Sequence, residues 1–174
     1  MPWTYKRRTG TLTAPDGLRC ALSLLVVAPP VFAQPLTPAQ VTRDIQAHGA
    51  RATVQSLDRA GRLDAVLNKI ATGNTAWVRL SRNLAQDTDE GDSTGLSVAL
   101  ARALPKNPNA VLGVLDDGSV TGAAVVCGVP FIEPTPREVK DYLARVIPAV
   151  KGTSVSERLP QRAPCLRALE RIAE

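Results

Sequence analysis

Few residues in this chain have the type and spacing for chemistry, and the densest set is Asp87-Thr88-Asp89-Glu90-Gly91-Asp92. Carboxylates at alternating positions followed by glycine resemble the opening of a calcium loop, because hard cations gather several oxygens from a flexible backbone. Asp87, Asp89 and Asp92 are therefore the candidate cation ligands. The match then fails, since the sixth and twelfth positions of such a loop call for glycine and a bidentate glutamate, and this chain has Asp92 and Val98 there. A solvated loop in which Asp92 or Ser93 caps the next helix explains the same residues, because negative charge is favoured at a helix N-terminus. Glycoside cleavage could in principle draw on Glu90 and Glu133, but nothing in the sequence sets a working separation, and aromatic walls for a sugar are scarce.

Nucleophilic chemistry fares no better. His48 is the one histidine in the chain. It sits just before Gly49 at the expected end of a helix, where a cation favours the helix dipole, so a Ser-His-Asp triad would have to borrow a helix-end residue as its base. There is no Gly-rich phosphate loop, Gly-x-Ser-x-Gly elbow, Ser-x-x-Lys pair, His-Glu-x-x-His or Cys-x-x-Cys. A zinc site wants about four nitrogen or sulfur ligands, more than the chain supplies once its leading segment is set aside. The sequence therefore leans away from an enzyme and implies no metal or cofactor.

That leading segment carries the clearest signal in the chain. Residues 1–33 combine a basic stretch holding Lys6, Arg7, Arg8 and Arg19 with an uncharged run from Cys20 to Ala33, closing on Val31-Phe32-Ala33. This is the three-part pattern of a secretory signal peptide. The uncharged run contains Pro29 and Pro30 and falls short of the roughly 20 apolar residues that cross a bilayer. Cys20 opens the run instead of following it, which argues against a lipid anchor. The expectation is a periplasmic or secreted protein of residues 34–174, with no stable membrane anchor after cleavage.

Cleavage changes the charge argument. Of 21 Lys plus Arg and 16 Asp plus Glu, residues 1–33 hold four basic and one acidic, leaving 17 against 15. The remaining charges are interspersed, and only Trp77, Phe131 and Tyr142 remain as aromatics. A nucleic-acid surface normally needs a basic groove with several stacking platforms, so that class is excluded. Two cysteines remain, Cys127 and Cys165, in a chain addressed to a compartment that oxidises thiols, and a disulfide between them is expected.

The segment Val129-Pro130-Phe131-Ile132-Glu133-Pro134-Thr135-Pro136 follows Cys127-Gly128 directly. Three prolines at this density hold the backbone semi-rigid. If Phe131 and Ile132 point outward they form a preorganised contact for a partner; if inward, they plug the core beneath the loop.

The elements that must position these residues read as helices between stop signals. Thr37-Pro38-Ala39-Gln40 opens a helix that runs to about His48. Val54, Leu57, Leu63, Val66, Leu67 and Ile70 recur at helical spacing, divided by Gly61, and Gly73 closes that pair. Thr75 can cap a helix bearing Trp77, Leu80 and Leu84. Leu96, Ala99, Leu100, Ala103 and Leu104 form another until Pro105. Asn107-Pro108 starts a helix expected to reach about Asp116, although Asp117-Gly118 is also a hairpin signal. Thr135-Pro136-Arg137-Glu138 is a capping box whose helix should end at Pro148. The last helix holds Cys165, Leu166, Leu169 and Ile172, with Pro164 in its first turn.

Seven or eight short helices joined by short loops imply an all-α single domain, an irregular antiparallel bundle or a small stack of helix pairs. The functional expectation is a small exported helical binding protein of inhibitor, immunity or adaptor type, acting on another exported or envelope protein. The alternative is an envelope hydrolase using carboxylates of the 87–92 loop, with or without a divalent ion.

Overall fold

The computed structural model describes residues 36–86, 90–154 and 159–174, without the side chains of residues 90–92. Residues 1–33, read as a signal peptide, and the candidate ligands Asp87 and Asp89 lie outside the described residues. Among the described residues the chain is all-helical: α1 (Pro38–His48), α2 (Ala50–Arg59), α3 (Leu63–Ala71), α4 (Thr75–Leu84), α5 (Glu90–Ala103), α6 (Pro108–Leu112), α7 (Ala123–Val126), α8 (Pro136–Lys151) and α9 (Arg162–Ala173). None of them is long and apolar enough to cross a membrane.

α5 is the hub of one continuous core. It packs against α3, α4, α6 and α7, while α8 packs on α9 and α1 on α2 and α4. Leu96, Ala99, Leu100, Ala101 and Ala103 are all buried, so its apolar surface extends beyond a single stripe, as expected of a helix enclosed on several sides. Around it the amphipathic helices contribute Val66 and Ile70 from α3, Trp77, Leu80 and Leu84 from α4, and Tyr142, Val146 and Val150 from α8. All but Val150, which lies beyond the expected stop at Pro148, are residues whose three- and four-residue spacing predicts inward faces.

Local signals set most boundaries. Thr37 accepts a hydrogen bond from the Gln40 N–H with Pro38 at the first helical position, and α1 ends at His48. Gly49, at φ 84°, turns the chain from α1 directly into α2, a left-handed conformation that suits glycine.

Five expectations need correction. There are nine helices among the described residues, because the 108–126 stretch divides into two very short ones. α6 stops at Leu112, and neither a helix to Asp116 nor a hairpin ladder follows; a single parallel bridge joins Asp116 to Gly122. The Asp116 carboxylate accepts from the Gly118 N–H and the Thr121 hydroxyl, tying off the turn that Asp117-Gly118 signals and leaving no strands to pair. α4 is capped by Asn74, whose side-chain oxygen accepts from the Ala76 and Trp77 N–H groups, while Thr75 is the first helical residue. α5 covers Glu90–Ala103 among the described residues, so Asp92 and Ser93 are helical positions and not the position before the helix where the sequence places a cap. Finally, α8 runs through Pro148 to Lys151, kept in register by the buried Val146 and Val150 on either side of the proline.

The C-terminal end is tied down at two places. Arg162 donates to the Thr153 hydroxyl at 3.0 Å and to the Lys151 carbonyl at 2.9 Å, clasping the end of α8 to the start of α9. Cys127 and Cys165 stand at disulfide distance, with sulfurs 2.04 Å and Cα atoms 5.3 Å apart, and both are fully buried. That pair fastens α9 to the end of α7, the segment from which the proline-rich loop departs.

Candidate functional site

The loop after Cys127 is built by close backbone approach and left-handed turns. Gly128 admits no Cβ, because the Ala124 carbonyl oxygen of α7 occupies that space. Val129, at φ 58°, and Glu133, at φ 45°, both hold left-handed backbone, which is sterically costly for side-chain-bearing residues and most of all for β-branched valine. Between them the Phe131 N–H donates to the Val129 carbonyl at 2.8 Å, a tight turn around Pro130. Two strained residues thus frame Phe131 and Ile132.

Their side chains take opposite roles. Phe131 is half-buried and meets Tyr142 edge-on, with ring centroids 4.9 Å apart. Ile132 is 81% exposed, the most exposed large apolar side chain among the described residues. A large aliphatic side chain held in water on a proline-bounded loop contributes nothing to the core beneath it.

The loop overhangs a cleft of about 870 Å³. One wall comes from α5 and the turn after it, with Val98, Arg102, Pro105 and Lys106. The other comes from α8, with Glu138, Asp141, Tyr142 and Arg145, and the loop supplies Phe131, Ile132 and Pro134 at the rim. Tyr142 forms the join between the walls: its hydroxyl donates to the Ala101 carbonyl of α5 at 3.0 Å, bridging the two helices from a buried position. Burial pushes the Tyr142 phenol well above its ordinary range, against a smaller opposing pull from the Arg145 charge, so the group is a neutral donor and not a base.

At the N-terminus of α8, Thr135 and Glu138 form the reciprocal box that their spacing predicts. The Glu138 carboxylate accepts from the Thr135 N–H at 2.9 Å and hydroxyl at 2.8 Å, and the Thr135 hydroxyl accepts from the Glu138 N–H at 3.3 Å. Those bonds, the backbone one foremost, hold the Glu138 carboxyl below its usual value. A depressed carboxylate stabilises the fold above its unfolded pKa and loses that contribution as pH falls. Thr135→Ala removes the N-cap hydroxyl, a loss of about 1 kcal/mol for a cap of this kind; because the backbone N–H that mainly holds Glu138 is kept, the gap from wild type in urea unfolding should narrow only in part below about pH 4.

The sequence-derived candidates separate clearly. Cys127 and Cys165 come together. Phe131 and Ile132 share one loop but not one environment. Asp87 and Asp89 lie outside the described residues, and Asp92 is placed only as backbone within α5. No cluster of three metal-ligating side chains occurs among the described residues. His48 ends α1, exposed, as its helix-end position implies.

Sequence reading missed Arg102, Lys106 and Arg145 as cleft residues, because one wall lies some forty positions from the other and no spacing rule connects them. One signal was present: of three aromatics after residue 33, two meet beside this cleft. Compared with protein-family models, curated proteins and solved structures, the chain matches none.

Proposed function

We propose that this chain is a small exported helical binding protein of the cell envelope, non-catalytic and of inhibitor, immunity or adaptor type, which engages another exported protein through the 129–134 loop. The observation that carries this reading is the 81% exposure of Ile132 on a loop whose backbone is strained on both sides and whose neighbouring Phe131 is anchored on Tyr142. Strain at non-glycine residues persists where surrounding structure enforces it and clusters at ligand clamps and switch regions. An exposed aliphatic side chain presented rigidly loses little freedom on binding, which favours affinity.

Export is supported by the tripartite leader of residues 1–33 and by a buried cysteine pair at bonding distance, compatible with an oxidising compartment. The hydrolase alternative falls on the 87–92 loop, whose side chains lie outside the described residues.

The test is retention of envelope proteins from the exporting organism on immobilised wild type and on Ile132→Asp. The variant should unfold within about 0.5 kcal/mol of wild type, as surface substitutions do, while losing a protein that wild type retains. Identical retention on both, with wild-type stability, would contradict the loop as the contact.

A further inference from the structure

We infer that the cleft beneath Ile132 takes an extended acidic segment of the partner protein, an aliphatic side chain resting on Ile132 and Pro134 and a carboxylate held by Arg102 and Arg145; this rests on the binding-protein reading above. The charge balance of the lining decides the sign. Three cations, Arg102, Lys106 and Arg145, line the cleft against two acids, Glu138 and Asp141, and Asp141 has Arg137 of its own helix 3.8 Å away. Lys106 donates to the Ala71 carbonyl at 2.6 Å but keeps its charge uncompensated. Arg102 and Arg145 are exposed, line opposite walls, and form no ion pair among the described residues. The charge left available to an occupant is therefore positive, and guanidinium forks suit a planar carboxylate better than a point charge does.

Shape selects an extended segment. A cleft of about 870 Å³ is of the size that holds a few side chains and not the face of a folded domain. Ile132 stands at its rim with most of its surface in water, so the apolar contact continues outside the cleft, where a small molecule seated within would leave it exposed. An extended chain places alternate side chains on one side, so an aliphatic residue at the rim and an acid two positions on can face the same wall.

The experiment selects peptides from a displayed random decapeptide library on the full purified chain, followed by affinity measurement of enriched synthetic peptides against wild type, Ile132→Asp and Arg102→Ala/Arg145→Ala. The expected result is enrichment of Asp or Glu at fixed spacing from an aliphatic residue, with binding weakened about tenfold or more by either variant and by raised salt, at unchanged melting temperature. Enriched peptides that need Ile132 but lack acids, or ignore the arginine substitutions, would overturn the acidic segment while leaving the binding-protein reading in place. Failure to enrich any peptide while a protein is retained in an Ile132-dependent manner would overturn the extended occupant in the same way. Ile132-dependent self-association in sedimentation would identify a second copy as the occupant and overturn it too. Loss of all Ile132 dependence, in both retention and selection, would remove the reading on which the inference rests.

Discussion

Replacing Cys127 and Cys165 together by alanine, or reducing the pair, is expected to lower the unfolding free energy by about 4 kcal/mol. The two positions are 38 residues apart in sequence, and cross-linking a loop of that length removes entropy from the unfolded chain by about this amount. For a domain of this size the loss corresponds to a fall in melting temperature of roughly 10–20 °C. Alanine is the informative substitution, because both sites are fully buried and serine would add an unpaired hydroxyl. Calorimetry with and without reductant checks the expectation. Wild-type protein should lose its upper transition on reduction, and the double alanine variant should melt at the lower temperature whether or not reductant is present.

Tyr142→Ala should cost about 3–5 kcal/mol, the range for emptying a buried aromatic site. Three losses combine there: the ring leaves the core, Phe131 loses its edge-on partner, worth about 0.5–1.5 kcal/mol, and the link from α8 to the Ala101 carbonyl disappears. Tyr142→Phe isolates the last and should cost about 1 kcal/mol. The Ala101 carbonyl also receives the Leu104 N–H at 3.3 Å, so it is not stranded by that change. The upward shift of the phenol gives a pH signature. A group whose folded pKa lies above its unfolded value contributes stability that is intact below the unfolded pKa and is lost as pH rises beyond it. Wild type should therefore lose part of its advantage over Tyr142→Phe above about pH 10, which urea unfolding at two alkaline pH values would detect.

Helical periodicity made the core legible because each inward face is a local property of its own segment. Val66 and Ile70, Leu80 and Leu84, and Val146 all lie where their spacing puts them. The Thr135–Glu138 box and the Asn107 cap were likewise readable, since capping chemistry spans only three residues. Sequence failed where tertiary contacts outweigh local preference. Pro148 looks like a stop, yet burial of Val150 carries α8 past it. The stretch after Asn107-Pro108 reads as a helix to about Asp116, with Asp117-Gly118 as a hairpin signal, yet α6 stops at Leu112 and the Asp116 carboxylate closes the following turn by itself. The opposite fates of Phe131 and Ile132 were also invisible, because two adjacent apolar residues give no sign of which one the left-handed turns at Val129 and Glu133 will rotate outward. The cleft depends on α5 and α8 meeting through Tyr142, a contact 41 positions apart that no motif encodes.

The central claim is that Ile132 touches another protein, and photo-crosslinking tests it most directly. A benzophenone amino acid placed at Ile132 in the exporting cell, with the same probe at Ile172 of α9 as the control, compares the two most exposed large apolar positions among the described residues. The account predicts a discrete adduct with one exported protein from position 132 and none from position 172. Adducts of equal pattern and yield from both positions, or none from position 132 in protein that has reached its destination folded, would contradict it.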